Sequence, residues 1–292
     1  MKVKKRWIII FLTPAVLLFA FVYLTSLYIL VTTSFTDLTA GGGGNFVGLK
    51  NYIELFKPAS EFWSVLKNNV IWVLLQSTVH VYLGVIVALI LARNKWYTSL
   101  VRTIYMLPNI ISNAALGMLF IFILNPKFGL INNTWRLISG NDAYMQNWFM
   151  DPKTAFGSVT MTWLPYAGIT AILVMAEMTS IPDSIYEAAI IDGASQLQIN
   201  MFIVLPLMRN IIGTTTILAA SNMLQKLDII LLTTSGGPGT RTTNMPMSIY
   251  RTALIDNNYS LANAQGVFLI LFGLVAVLLI RKIYRMNENI LG

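Results

Sequence analysis

Cysteine is absent from this 292-residue chain, and histidine occurs once. Without cysteine there are no disulfides, no thiol nucleophile and no thiolate ligands for an iron–sulfur cluster. A single histidine, His80, cannot build a histidine-based zinc site or serve a Ser–His catalytic pair with one to spare. It lies in the apolar run IWVLLQSTVHVYLGVIVALILA, where a hydrogen-bonded imidazole facing neighbouring helices is a simpler reading than a catalytic one. Charge is scarce as well. Asp, Glu, Lys and Arg make up 11% of the residues, against about 25% in soluble domains. No Walker A loop of the G-x-x-x-x-G-K-[ST] type occurs, so an ATP site of that kind is excluded.

What is abundant is hydrophobic surface. Apolar residues account for 56% of the chain, and the mean hydropathy is +0.67. So few polar groups cannot cover a folded chain in water, and lipid is the matching solvent. The net charge of +8 would suggest nucleic acid in a soluble protein. Here the basic residues sit at the ends of apolar runs, which reads as membrane orientation instead.

A membrane helix needs about 20 predominantly apolar residues. Stretches at roughly 7–31, 66–92, 103–124, 156–180, 209–232 and 261–283 qualify, predicting an all-α membrane protein with six transmembrane helices. The first follows MKVKKR, exceeds the length of a signal-peptide core, and is expected to be retained. With the N-terminus in the cytoplasm, that side holds Lys2, Lys4, Lys5, Arg6, Arg93, Lys95, Arg102, Arg209, Arg281, Lys282 and Arg285. The outer loops hold Lys50, Lys57, Lys127, Arg136, Lys153, Arg241 and Arg251, with Lys67 at a boundary. The bias places both termini in the cytoplasm. The outer loops, including the glycine tetrad after Ala40, read as folded caps too short to be domains.

The stretch 181–206, between the fourth and fifth spans, is too long for a hairpin. Ser184 and Glu187 have capping-box spacing, predicting a helix from Ile185 that Gly193 ends. Ser195 and Gln198 repeat that spacing and open a second helix, expected to stop before Pro206. Leu197, Met201 and Val204 recur at helical spacing beside Phe202 and Leu205. An apolar face on this side must meet lipid or a partner protein. The absence of lysine and arginine from the stretch favours the partner.

At these residues a resemblance becomes specific. Glu187-Ala188-Ala189, Asp192-Gly193-Ala194 and Leu205-Pro206, at this spacing, resemble the EAA motif of ABC importer permeases. Leu227-Asp228-Ile229-Ile230, Gly236-Gly237-Pro238, Ile249-Tyr250 and the stretch from Phe46 to Tyr52 resemble its carbohydrate branch, related to the maltose-transporter permeases. The likeness runs from the first span to the last. Arg209 departs from it, standing where many relatives have a second proline.

The resemblance implies a single permease domain over 1–292, of the type I ABC importer fold, with an L-shaped cytoplasmic coupling helix pair at 181–206. It implies a multi-pass subunit of the bacterial inner membrane that imports an oligosaccharide-like solute. It further implies an ATPase dimer, a second homologous permease and an extracytoplasmic solute-binding protein as partners. ATP and Mg²⁺ would belong to the ATPase, with no cofactor or metal on this chain. Glu187, with Ala188, Ala189 and Asp192, would belong to the docking segment, Glu187 pairing with a basic group on the ATPase. Gly193 would supply the turn, and Leu197, Met201 and Phe202 the apolar grip.

Polar groups inside spans are costly and mark candidate pathways. The fifth span offers Ser221, Asn222, Gln225, Lys226 and Asp228; the fourth Trp163, Tyr166 and Glu177; the third Asn109, Ser112 and Asn113. Amides, hydroxyls and aromatic faces suit sugars. For Asn109, Ser112 and Asn113, interhelical hydrogen bonding is an equal alternative, and for Trp163, an interfacial anchor. Lys226 would attract an acidic solute, snorkel outward, or pair with a carboxylate of the second permease. Two other classes compete: an ion-coupled secondary transporter, which would favour repeats and intramembrane carboxylates, and a membrane enzyme using Asp183, Glu187 and Asp192.

Overall fold

The computed structural model describes residues 5–92 and 96–286, and of residues 5–9 only the backbone. Lys2, Lys4, Arg93 and Lys95, with the side chains of Lys5 and Arg6, all part of the orientation argument, lie outside the described residues. Within them the regular structure is helical, joined by loops that carry isolated antiparallel bridges at Thr36–Phe46 and Thr39–Gly42.

Three helices are long and apolar enough to cross a membrane: Ile10–Thr33, Phe62–Leu91 and Tyr259–Ile283. They match the first, second and sixth expected spans. The other three expected spans are interrupted. The third is two helices, Thr98–Ile110 and Asn113–Ile123, meeting at 108°. Pro108 weakens the end of the first half, Ile111 is extended, and Ser112 caps the second half by accepting the Ala115 N–H. The fourth splits into Ala155–Met161 and Gly168–Met178 around Trp163-Leu-Pro165. The fifth splits into Arg209–Leu224 and Asp228–Thr233. Hydropathy averages over the third and fourth breaks because most residues inside them are apolar or small, and over the fifth because the apolar flanks outweigh Gln225 and Lys226.

The chain forms two compact units. One gathers Met1–Trp63 with Ser248–Leu271. Its first helix buries none of its apolar window within the chain, so Phe11, Leu18 and Phe21 are surface for lipid or another subunit. The following loop is ordered by side chains. The Asp37 carboxylate accepts the Gly44 and Asn45 N–H groups at 2.7 and 2.8 Å. Those bonds, Gly44 foremost, hold it below the usual carboxylate range. Asn51 donates to the Ser34 and Thr36 carbonyls at 2.8 Å each, and Asn263 donates to Thr33.

The other unit gathers Ser64–Met247 with the chain from Phe272. Trp72 is fully buried, stacked on Phe156 at 4.6 Å and edge-on to Trp163 at 5.4 Å, and it donates to Thr160 Oγ1 at 2.7 Å. Each such ring pair adds about 0.5–1.5 kcal/mol beyond its area burial. Phe62–Leu91 packs closely on Gly168–Met178 through Gly84: a Cβ there would lie 2.6 Å from Thr170 Cβ and Cγ2. Gly84→Ala is therefore expected to destabilise this unit by roughly 1–3 kcal/mol, read as a lower melting temperature of the detergent-purified protein. An unchanged melting temperature would mean that the two helices are not in contact.

Candidate functional site

The segment 181–207 is built largely as its local signals predict. Gly193 takes φ +78°, and the Ala194 N–H reaches back to the Ala189 carbonyl at 2.9 Å, closing the helix end. Ser195 and Gln198 form the reciprocal capping box. Three details differ. The first helix starts at Asp183 behind Pro182, with no side-chain cap, so the Ser184–Glu187 box does not form. Pro182 presets the entering backbone, and Ser184 is already inside the first turn. The second helix runs through Pro206, as Gln196–Leu207, because the wide π-helical turns of Ile199–Val204 carry the chain past the missing N–H. It then bends by 69° into Arg209–Leu224. Arg209, standing where many relatives have a second proline, donates to the Arg285 carbonyl at 3.2 Å.

Those wide turns also rotate Val204 inward, where it is fully buried. One face of the segment (Ile181, Ala189, Ile199, Val204, Met208) joins Val81, Val85, Ala88, Val174 and Ala219 in one apolar cluster. The other face leaves Leu197, Met201 and Phe202 between half and three-quarters exposed. Glu187, Ala188, Asp192 and Gly193 are exposed on the same segment. The exposed face is thus backed by side chains packed against the second, fourth and fifth spans.

A cavity of about 370 Å³ opens among the broken helices. Four irregularities converge on it. From Phe62–Leu91 come Gln76 and His80, the two ends of its π-helical stretch. The break in the third span contributes Asn109, Ile111 and Asn113; that in the fourth, Trp163 and Tyr166; that in the fifth, Asn222, Gln225 and Lys226. Irregular backbone at membrane depth persists where it lines a cavity or is covered by protein. The breaks are cross-braced. His80 Nδ1 lies 2.9 Å from the Leu164 carbonyl; a carbonyl only accepts, so Nδ1 carries the hydrogen and Nε2 of the neutral ring is an acceptor. Buried Asn244 donates to the Lys226 carbonyl at 2.6 Å, fixing the backbone from which that lysine projects. Its ammonium sits 5.3 Å from the centre of the Trp163 ring.

The family described as the binding-protein-dependent transport system inner membrane component matches residues 80–288, which include the cavity's breaks and the 181–207 segment. The chain belongs to this family. It is therefore an inner-membrane permease component of an ABC transport system. A probable ABC transporter permease of Pyrococcus horikoshii is 32% identical, covering 93% of each chain. The sulfoquinovosyl glycerol transport system permease SmoG of Agrobacterium fabrum is 28% identical over 93% of this chain and 88% of its own. The crystal structure of a bacterial alginate ABC transporter, in complex with an alginate pentasaccharide-bound periplasmic protein, has a chain of the same fold. That chain is 23% identical, at a TM-score of 0.82, covering 96% of this chain and 95% of its own.

In this permease the expected pathway residues Asn113, Trp163, Tyr166, Asn222, Gln225 and Lys226 come together on the cavity, with Asn109. Trp163 is 5% exposed and forms a wall behind Lys226, which excludes the interfacial-anchor alternative. Ser112 is a helix cap, Glu177 and Asp228 are exposed, and neither they nor Ser221 line the cavity. Sequence reasoning missed Gln76, Thr170 and Thr215 as lining residues. Gln76 was findable: it stands four residues before His80, on the same helix face. The threonines carry no such signal.

Proposed function

We propose that this permease passes an oligosaccharide or related sugar through the cavity, between the outer and cytoplasmic faces, with both termini in the cytoplasm. ATP hydrolysis on a separate ATPase dimer drives the exchange through segment 181–207. The observation that carries this reading is the convergence of helix breaks on a cavity lined by amides, hydroxyls, an imidazole and aromatic rings. Such groups match a ring bearing hydroxyl edges and apolar faces. The exposed Leu197, Met201 and Phe202, backed by a buried face, fit the groove of a partner better than water. The relative named for sulfoquinovosyl glycerol supports a sugar-like solute. The periplasmic protein in the alginate transporter complex supports a solute-binding partner. A second homologous permease would be the partner within the membrane, and the interrupted 155–178 stretch, counted as one span with each bent pair, would bring this chain to six.

Gentle purification of the tagged chain from its native membrane, followed by mass spectrometry, tests the assembly. An ATPase and a second permease should be recovered at comparable amounts, with the binding protein added by cross-linking. Recovery of the chain alone after cross-linking would overturn the reading and favour ion-coupled secondary transport.

A further inference from the structure

We propose that the solute is a sugar acid: the cavity pairs its anionic group with Lys226 and takes its hydroxyls on Gln76 and His80. This deepens the sugar-import reading and rests on it.

The first observation is electrostatic. Lys226 is the sole Lys, Arg, Asp or Glu among the residues lining the cavity. Among the described residues no carboxylate lies within ion-pair distance of its ammonium. Its neighbour in sequence, Asp228, is exposed and does not line the cavity. Held over the Trp163 ring, the lysine is only partly exposed, and its backbone is fixed by Asn244. A cation partly withdrawn from water, with Asp228 acting on it only from beyond ion-pair distance, is costly, and an anionic solute would relieve that cost.

The backbone adds to the same field. The breaks in the third and fourth spans start two 11-residue helices, Asn113–Ile123 and Gly168–Met178, whose first turns line the cavity. Helix N-termini carry partial positive charge and unpaired N–H donors. The second of them has Ala167 at its cap position, with no side-chain acceptor for those donors. Paired half-helix ends facing a midplane site are a recognised way of holding an anionic solute group.

The third observation concerns acceptors. Gln76 is 5% exposed, and its amide oxygen has no hydrogen-bond partner. His80, one turn on, presents Nε2 as an acceptor because Nδ1 donates to Leu164. An inorganic anion such as sulfate has no hydrogen to offer these groups, whereas a sugar hydroxyl does. Cation and unsatisfied acceptors in one cavity therefore select a polyol that also bears a carboxylate or sulfonate.

The test uses the complete importer, with its second permease, ATPase and binding protein, in proteoliposomes energised with ATP. It is offered mixed fragments of pectin, alginate, starch and cellulose, and the lumenal glycans are identified by mass spectrometry. Acidic fragments are expected to dominate, to fall at least tenfold in Lys226→Gln, and to persist in Lys226→Arg. Neutral fragments alone, or acidic uptake unchanged in Lys226→Gln, would overturn the proposal and leave sugar import standing. No glycan of either kind would instead strike at the sugar reading itself. Should the glutamine variant fail to assemble, the unaltered complex decides: methyl-esterified pectin fragments entering as fast as the free acids would overturn the assignment.

Discussion

A Gly193→Val permease is expected to reach the membrane and to lose ATP-driven uptake by about tenfold or more. Nothing lies within 4 Å of where the new Cβ would stand, so packing is not the reason. The reason is the backbone: φ is +78°, a region that costs an L-residue ~1–2 kcal/mol and a β-branched one more. At about 1.4 kcal/mol per factor of ten, that cost depletes the turned segment roughly tenfold. Beyond the turn, the buried face of 181–207 stays packed on the spans through Ala189 and Val204, so the chain should still fold. The exposed face would be misaligned for the proposed ATPase partner. Uptake and ATP hydrolysis should therefore separate: hydrolysis persists or becomes independent of the loaded binding protein while transport falls. Asparagine, which tolerates left-handed backbone, should retain more transport than valine. Normal uptake by the valine variant would remove the coupling role from this turn.

The second large effect is expected at Gly168, the first residue of the helix that follows the fourth-span break. A Cβ here would stand 2.4 Å from the Tyr105 carbonyl oxygen, 2.5 Å from Asn109 Nδ2 and 2.7 Å from Met106 Cε. The amide and the methyl group can swing away, but the carbonyl belongs to the backbone of Thr98–Ile110 and cannot. Even alanine must push the two helices apart, and overpacking of this kind costs about 1–3 kcal/mol. The displaced group includes Asn109, which lines the cavity and donates to that same carbonyl at 2.8 Å. Gly168→Val should lower the melting temperature of the purified permease and cut uptake at least tenfold. Gly157→Ala supplies the contrast: nothing lies within 4 Å of its Cβ position. There the gain in helix propensity, about 1 kcal/mol, should leave transport intact or the protein slightly more stable. Equal behaviour of the two variants would show that the close approach at Gly168 does not shape the cavity.

The cavity-lining residues show where sequence reasoning reached and where it stopped. Asn222, Gln225 and Lys226 stand out because polar groups are conspicuous in an apolar run, and conspicuousness needs no geometry. Gln76 and His80 lie in an equally apolar run, and the histidine reads there as an ordinary structural group. What gives it a part in the cavity is the Leu164 carbonyl, 84 positions away, freed by a break in another helix. Trp163 reads equally as anchor or pathway until Trp72 and Lys226 close on its faces.

The sequence by itself determined the solvent and the local punctuation. Low charge and long apolar runs place this chain in lipid, because burial preferences sum residue by residue whatever the fold. Gly193 and the Ser195–Gln198 cap place the turn of 181–207, because each works through bonds within a few residues. The tertiary structure alone decided that the third, fourth and fifth spans break, and that their breaks meet. A short break flanked by two apolar half-helices leaves nearly the same average hydropathy as a whole helix, even where it holds Gln225 and Lys226. Only neighbouring helices, by satisfying the freed carbonyls and leaving space between them, turn those interruptions into a cavity.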